Sequence, residues 1–182
     1  WENGFRHITT AKKPVARPAD LKGLKIRVME NRVHQAAFRQ LGADATPMAW
    51  GEVFTSLQQG LLDAQENPIP IVSTFKLYEV QKFLALTGHV YSPAPVLLSK
   101  KSWDRMPPDI QKILLDTAVE VARIQRQLNR TQEQKQLGEL KTKGMTIIEE
   151  PDRAAFREAM RPVVEQFQGQ FGGLAQRIAA TK

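Results

Sequence analysis

Apolar residues along this chain recur with two different periods, and the switches between them mark its elements. Leu24, Ile26 and Val28 alternate with Lys25, Arg27 and Met29, which predicts a short strand with one apolar face. Asn31 then predicts an N-cap. Val33, Ala36, Ala37 and Leu41 give the helix over 32–41 its inner face, and Gly42 marks its stop. Residues 44–50 read as short and extended, and Gly51-Glu52 opens a helix that ends at Gly60. Leu61 to Gln65 predicts a buried strand ending at Glu66-Asn67-Pro68, residues 69–79 a helix, and residues 80–90 a longer strand. Ahead of these, Phe5, His7 and Ile8 predict a short strand around Arg6, and residues 18–23 a single helical turn ended by glycine. Strands alternating with helices predict an α/β domain with a largely parallel sheet.

Beyond residue 90 the pattern changes. Tyr91 to Pro95 is rich in turn residues, and Val96 to Ser99 predicts one more strand. Ile110, Ile113, Leu114, Val121, Ile124 and Leu128 hold helical spacing. Their apolar face fades over 129–136, while helical propensity continues to Lys143 and stops at Gly144. A helix of about 35 residues spans roughly 50 Å at 1.5 Å per residue. One small domain needs less, so this helix is expected to bridge two lobes. A strand over 145–148, a helix over 151–168 kinked at Pro162, and a short helix over 174–180 complete the pattern.

Composition narrows the chemistry. The 182 residues contain no cysteine, which excludes disulfides and thiolate metal sites. No apolar run reaches the roughly 20 residues of a membrane span. The net charge of +7 is uneven. Residues 1–40 hold nine Lys and Arg against three Asp and Glu, whereas 41–100 hold three against five. Such a basic first part suits an anionic small molecule, an acidic partner or nucleic acid. Zinc-finger, glycine-rich RNA-binding and aromatic-basic patterns are missing, so nucleic acid is not expected. His7, His34 and His89 lack ligand spacing, so neither a metal nor a cofactor is expected. The sequence has no nucleophile elbow, phosphate-binding loop or dinucleotide glycine pattern, so an enzyme is not expected either.

Three strand ends carry the candidate chemistry. Arg27 stands near the C-terminal end of its strand, where open α/β sheets bind ligands, and its planar fork suits a carboxylate or phosphate. By itself it also fits a solvated surface arginine. Asn67, in Gln65-Glu66-Asn67-Pro68, offers one acceptor and two donors, or serves as a turn residue before proline. Trp50 follows Pro47-Met48-Ala49 and either walls a pocket or fills the core rim. A cation, an amide and an aromatic ring meeting at one cleft would make an anion-binding pocket.

These motifs occur in a recognisable order: Leu21-Lys22-Gly23-Leu24-Lys25-Ile26-Arg27-Val28, Pro47-Met48-Ala49-Trp50-Gly51-Glu52-Val53-Phe54, Leu57-Gln58-Gln59-Gly60, Asp63-Ala64-Gln65-Glu66-Asn67-Pro68, Tyr78-Glu79-Val80-Gln81-Lys82-Phe83-Leu84 and Thr87-Gly88-His89. The series resembles the substrate-binding proteins of TRAP (tripartite ATP-independent periplasmic) transporters over essentially the whole chain, most densely at 21–90. The resemblance implies an α/β, type II periplasmic-binding-protein-like fold, here the C-terminal lobe plus a long lobe-bridging helix. It also implies a periplasmic location after removal of a signal peptide, and delivery of an organic acid to TRAP membrane permease subunits. The corresponding arginine pairs with the substrate carboxylate (Arg27), the asparagine contacts the ligand (Asn67), and the aromatic residue lines the pocket (Trp50). A second arginine in Asn3-Gly4-Phe5-Arg6-His7-Ile8-Thr9 contributes in some members (Arg6). Many members have a small polar residue three positions after the key arginine, where this chain has Glu30. A carboxylate there repels a second anionic group on the ligand or pairs with a hydroxyl or basic one, which argues against a C4-dicarboxylate.

The same resemblance implies a fragment lacking most of the N-terminal lobe. Residues 1–92 would form the ligand-binding core of the C-terminal lobe. Residues 93–132 would be a crossover strand and long helix packing on the missing lobe, and 133–182 would return to the C-terminal lobe. Without that lobe, the chain is expected to pair with another copy or swap elements with it. A ligand-sensing domain of a transcription regulator with a similar fold is the alternative reading.

Overall fold

In the computed structural model, which describes residues 1–181, the alternation at 24–29 forms strand β2 (Lys25–Val28), with Ile26 and Val28 fully buried. Asn31 caps α1 (Arg32–Gln40), its Oδ1 accepting from the backbone N–H of Val33 at 2.9 Å and of His34 at 3.2 Å. Gly42 ends that turn with a φ of +78°, a conformation only glycine adopts without strain. β3 (Asp44–Pro47) and α2 (Trp50–Gln58) follow. The chain continues through β4 (Ala64–Pro68), α3 (Ile69–Thr74), β5 (Phe83–Pro93) and the one-turn α4 (Lys100–Trp103). After α5 (Pro108–Thr142) come β6 (Thr146–Ile148), α6 (Arg153–Gln168) and α7 (Leu174–Ala180).

The sheet order is β3-β2-β4-β1-β5-β6. β2 runs parallel to β3 and β4, and β5 runs parallel to β6. β1 (Glu2–Thr10) lies between β4 and β5 and is antiparallel to both. The sheet is therefore mixed, not largely parallel. Its central strand is nine residues long, twice what the apolar pattern implies, because most of its inward side chains are polar.

Other boundaries also move. The strand expected from Leu61 starts at Ala64, since 60–63 make the turn, and it runs on to Pro68, so Glu66 and Asn67 lie within β4 rather than at its end. Tyr91 and Pro93 belong to β5, not to a turn. Val96 to Ser99 is not a strand; it is exposed and pairs with nothing among the described residues, and an isolated strand has no ladder to hold it. The helix over 153–168 runs through Pro162.

Two apolar layers cover the sheet. On one face, Ile8, Ile26, Val28 and Ala64 pack with Phe38 of α1 and Phe156 of α6. On the other, Leu84 packs with Val53 and Leu57 of α2, Val72 of α3 and Leu140 near the end of α5. Leu140 is the buried residue of that 35-residue helix.

β1 and β5 leave the sheet side by side, where Ala94 N–H donates to Trp1 O at 3.0 Å. Helix α5 holds them there. Gln125 accepts from Glu2 N–H at 2.9 Å and donates to Glu2 O at 2.8 Å. The buried Glu2 carboxylate accepts from Arg130 Nη2 and from the Tyr91 hydroxyl, both at 2.9 Å. Arg130 holds this carboxyl below its ordinary range although burial opposes ionisation.

Candidate functional site

Side chains alternate along β4, so Ala64 and Glu66 face the α1 layer while Gln65 and Asn67 face the other. β2 alternates likewise. Ile26 and Val28 face α1, which turns Arg27 toward the loop before α2.

Arg27 is 5% exposed. Its Nε and Nη2 donate to Met48 O at 2.9 and 2.7 Å, which fixes the fork on the backbone of the loop. Its Cζ lies 5.6 Å from the centre of the Trp50 ring, a cation–π distance. Phe75 meets Trp50 edge-on at 5.0 Å and braces it from behind. Burial pulls the Arg27 pKa below its ordinary value. Glu66 opposes that shift, the charge of Arg6 adds to it, and Glu30 opposes it. A guanidinium stays protonated throughout. Glu30 itself is exposed in the bend between β2 and α1.

Arg6 and Glu66 form a buried pair beneath Asn67. Arg6 Nε and Nη2 donate to the two carboxylate oxygens of Glu66 at 2.5 and 2.8 Å, and Nη2 also donates to Glu66 O at 2.6 Å. The same Nη2 reaches Asn67 Oδ1 at 3.1 Å. Burial disfavours the Glu66 anion, but contacts from His34, His89 and Arg6 outweigh it and hold the carboxyl far below its ordinary range. His89 Nε2 lies 3.2 Å from Glu66 Oε2, and His34 Nδ1, which has no hydrogen-bond partner, 3.7 Å from Oε1. Burial pushes the His89 pKa down more strongly than Glu66 raises it. Both histidines line a groove of about 570 Å³ between α1, β5 and α6, with Phe38, Phe156 and Arg153 among its walls.

The structure thus brings Arg27, Trp50, Asn67 and Arg6 to one end of the sheet. Two buried cations, Arg6 and Arg27, face one buried anion, Glu66, and the exposed Glu30 carboxylate acts on Arg27 from the rim. Arg6 grips Glu66 and Asn67 from within rather than standing at the surface. Sequence reasoning missed Glu66 and His89 as its partners. It also missed Thr9, Gln65 and Gln81, which are fully buried behind Asn67. The available signal was a run of polar residues at positions where strand alternation expects apolar ones. Among the described residues, no cluster of His, Asp and Glu could hold a metal, and no helix is long and apolar enough to cross a membrane.

A mixed sheet between two helical layers, with its polar site at the ends of β2 and β4, defines one lobe of a type II periplasmic-binding-protein-like fold. Solved TRAP periplasmic solute-binding proteins superpose closely on it. One from Polaromonas sp. JS666, bound to D-erythronate, is 44% identical with a TM-score of 0.92, over 98% of this chain and 58% of that one. Another from Pseudomonas putida F1, with bound D-glucuronate, is 33% identical with a TM-score of 0.93, over 100% of this chain and 58% of that one. The chain belongs to the DctP family, bacterial extracellular solute-binding protein family 7, whose model matches residues 1–170. Its relatives are periplasmic substrate-binding proteins. The 2,3-diketo-L-gulonate-binding periplasmic protein YiaO of Escherichia coli is 44% identical over 160 residues, 88% of this chain and 49% of that protein. The sialic acid-binding periplasmic protein SiaP of Vibrio cholerae is 36% identical over 181 residues, 99% of this chain and 56% of that protein. The chain spans about half the length of these relatives. All are binding proteins rather than enzymes, and none supports the transcription-regulator reading.

Proposed function

We propose that this chain is the carboxylate-gripping lobe of a periplasmic solute-binding protein that delivers a sugar acid to the permease of a TRAP transporter, without catalysing a reaction. The observation that carries the reading is the placement of Arg27. Its fork is fixed on Met48 O, backed by Trp50 and adjacent to the Arg6–Asn67 pair at the ends of parallel strands. Such a preset, positively charged fork suits one carboxylate. Several solved relatives hold sugar acids, among them D-erythronate and D-glucuronate. Glu30 refines the choice: its carboxylate, close enough to influence Arg27, accepts ligand hydroxyls and repels a second acid group, so a polyhydroxy monocarboxylate is favoured over a dicarboxylate. Residues 1–92 and 133–182 then form this lobe. Residues 93–132 reach toward a second lobe that closes over the ligand. In a polypeptide limited to the present residues, Val96, Leu97, Val119 and Leu128, all more than half exposed, favour pairing or element exchange with another copy.

The test is calorimetry on the full-length protein with D-erythronate, D-glucuronate and D-galacturonate. Arg27→Ala should cost about 2–5 kcal/mol of affinity for the best of them, the usual loss when one partner of a buried charge pair is truncated. An unchanged Kd in a folded variant would remove Arg27 from the site.

A further inference from the structure

Behind Asn67 the second sheet face carries a row of neutral polar side chains that the carboxylate site does not use directly. Asn67 Nδ2 donates to Gln65 Oε1 at 2.6 Å, and Gln65 Nε2 donates to Thr9 Oγ1 at 2.8 Å. The Thr9 hydroxyl donates to Gln81 Oε1 at 2.9 Å, and Gln81 Nε2 donates to Val80 O at 3.0 Å. Thr9, Gln65 and Gln81 are completely buried, so each must find its partners inside the protein.

An isolated primary amide can face either way. Here both ends of the row forbid the reversed sense. At one end Arg6 Nη2 lies 3.1 Å from Asn67, and a guanidinium can only donate, so Asn67 must present its oxygen. At the other end Val80 offers a carbonyl, which can only accept. Every link between them follows in one direction. Turning Asn67 over would set its amide hydrogens against Arg6 and leave a chain of buried donors and acceptors mismatched.

We propose that Thr9, Gln65 and Gln81 are positioning residues that lock the side-chain amide of Asn67 so that it turns an N–H toward the ligand. With the Asn67 oxygen held by Arg6 and one Nδ2 proton held by Gln65, the second Nδ2 proton is what remains for recognition. Arg27 likewise only donates. The donors of the site therefore favour an acceptor-rich group, and a carboxylate presents two accepting oxygens where a carboxamide presents one. This rests on the reading above that Asn67 meets the ligand.

Two measurements on the full-length protein test it. Thr9→Val keeps the shape and removes the hydroxyl, while Thr9→Ser restores it. The best-bound of D-erythronate, D-glucuronate and D-galacturonate should bind roughly fivefold to tenfold more weakly to T9V, the scale of one net hydrogen bond, and within about twofold of wild type to T9S. In the ligand-free protein, the Asn67 Nδ2 proton held by Gln65 should give an NMR signal that exchanges slowly with solvent, faster in T9V and slowly again in T9S. A structural role alone would lower the melting temperature and leave the affinity of the folded protein unchanged. T9V affinity within twofold of wild type overturns the proposal whatever its melting temperature. If T9V does not fold, Gln81→Met removes the acceptor at the far end and should weaken binding roughly threefold, about half such a bond; unchanged affinity there overturns it equally. If wild type binds none of the three acids, the sugar-acid reading fails, and the Asn67 signals alone decide whether the amide is locked.

Discussion

The two ends of α5 carry similar residues in different surroundings. Near its C-terminal end Leu140 is fully buried between α2, α3 and the sheet. Through its first two-thirds Ile113 and Val119 are 57% and 65% exposed. Helical periodicity alone does not distinguish them. The spacing that seats Leu140 in a core leaves Val119 in solvent, because periodicity encodes a face and not the partner that covers it. The exposed part still forms a helix, supported by local terms such as the Lys112–Asp116 pair four residues apart.

The largest expected contrast follows from that difference. Leu140→Ala should destabilise the chain by about 2–5 kcal/mol in urea unfolding, the cost of an emptied core site. Val119→Ala should stay within about 0.5 kcal/mol, as surface substitutions do. Equal effects would mean that the exposed face is covered in solution.

Acid should separate the two regions next. Burial holds the His89 pKa below its ordinary 6.5, so below that pH the unfolded chain binds a proton that the folded chain resists. Glu66 is also depressed, so below its ordinary 4.5 the unfolded state again binds more protons. Both signs make stability fall as pH falls. The melting temperature should decline first below about 6.5 and more steeply below about 4.5, a window set by these ordinary values. His89→Gln should remove the first decline and keep the second. A flat melting temperature from pH 7 to 5 would contradict the assignment of His89.

The smallest effect on folding should have the clearest effect on assembly. Val119→Lys leaves monomer stability within about 0.5 kcal/mol, but places a charge on the apolar ridge. In light scattering on a polypeptide of these residues it should shift any concentration-dependent assembly toward monomer. No change in mass would place the contact elsewhere.

What the sequence made legible follows from the reach of each signal. The Asn31 cap, the stop at Gly42 and the extent of α5 are set by neighbours within a few residues, and they can be read directly. Arg27 was marked by its place at a strand end. β1 was harder. Arg6, His7, Thr9 and Thr10 are buried there only because β4 and β5 flank them, and no local pattern announces neighbours some 60 and 80 residues away. Glu66 was read only as the end of a strand for the same reason; its partners Arg6, His34 and His89 come from three separate elements. Val96 to Leu98 shows the reverse error. Its composition suits a strand, but no described strand lies beside it to complete one.

The paired exit of β1 and β5 has a mechanical consequence. Two strands joined by ladder hydrogen bonds as far as Trp1 and Ala94 make a ribbon wider than it is thick. A ribbon bends readily across its flat face and resists bending in its own plane, where one strand would have to stretch against the other. The Glu2 grip on Gln125 and Arg130 ties the long helix to that ribbon and stiffens it against twist. The ribbon therefore moves relative to the rest of the sheet mainly as a flap about one axis, whose direction is set by the orientation of a single pair of strands.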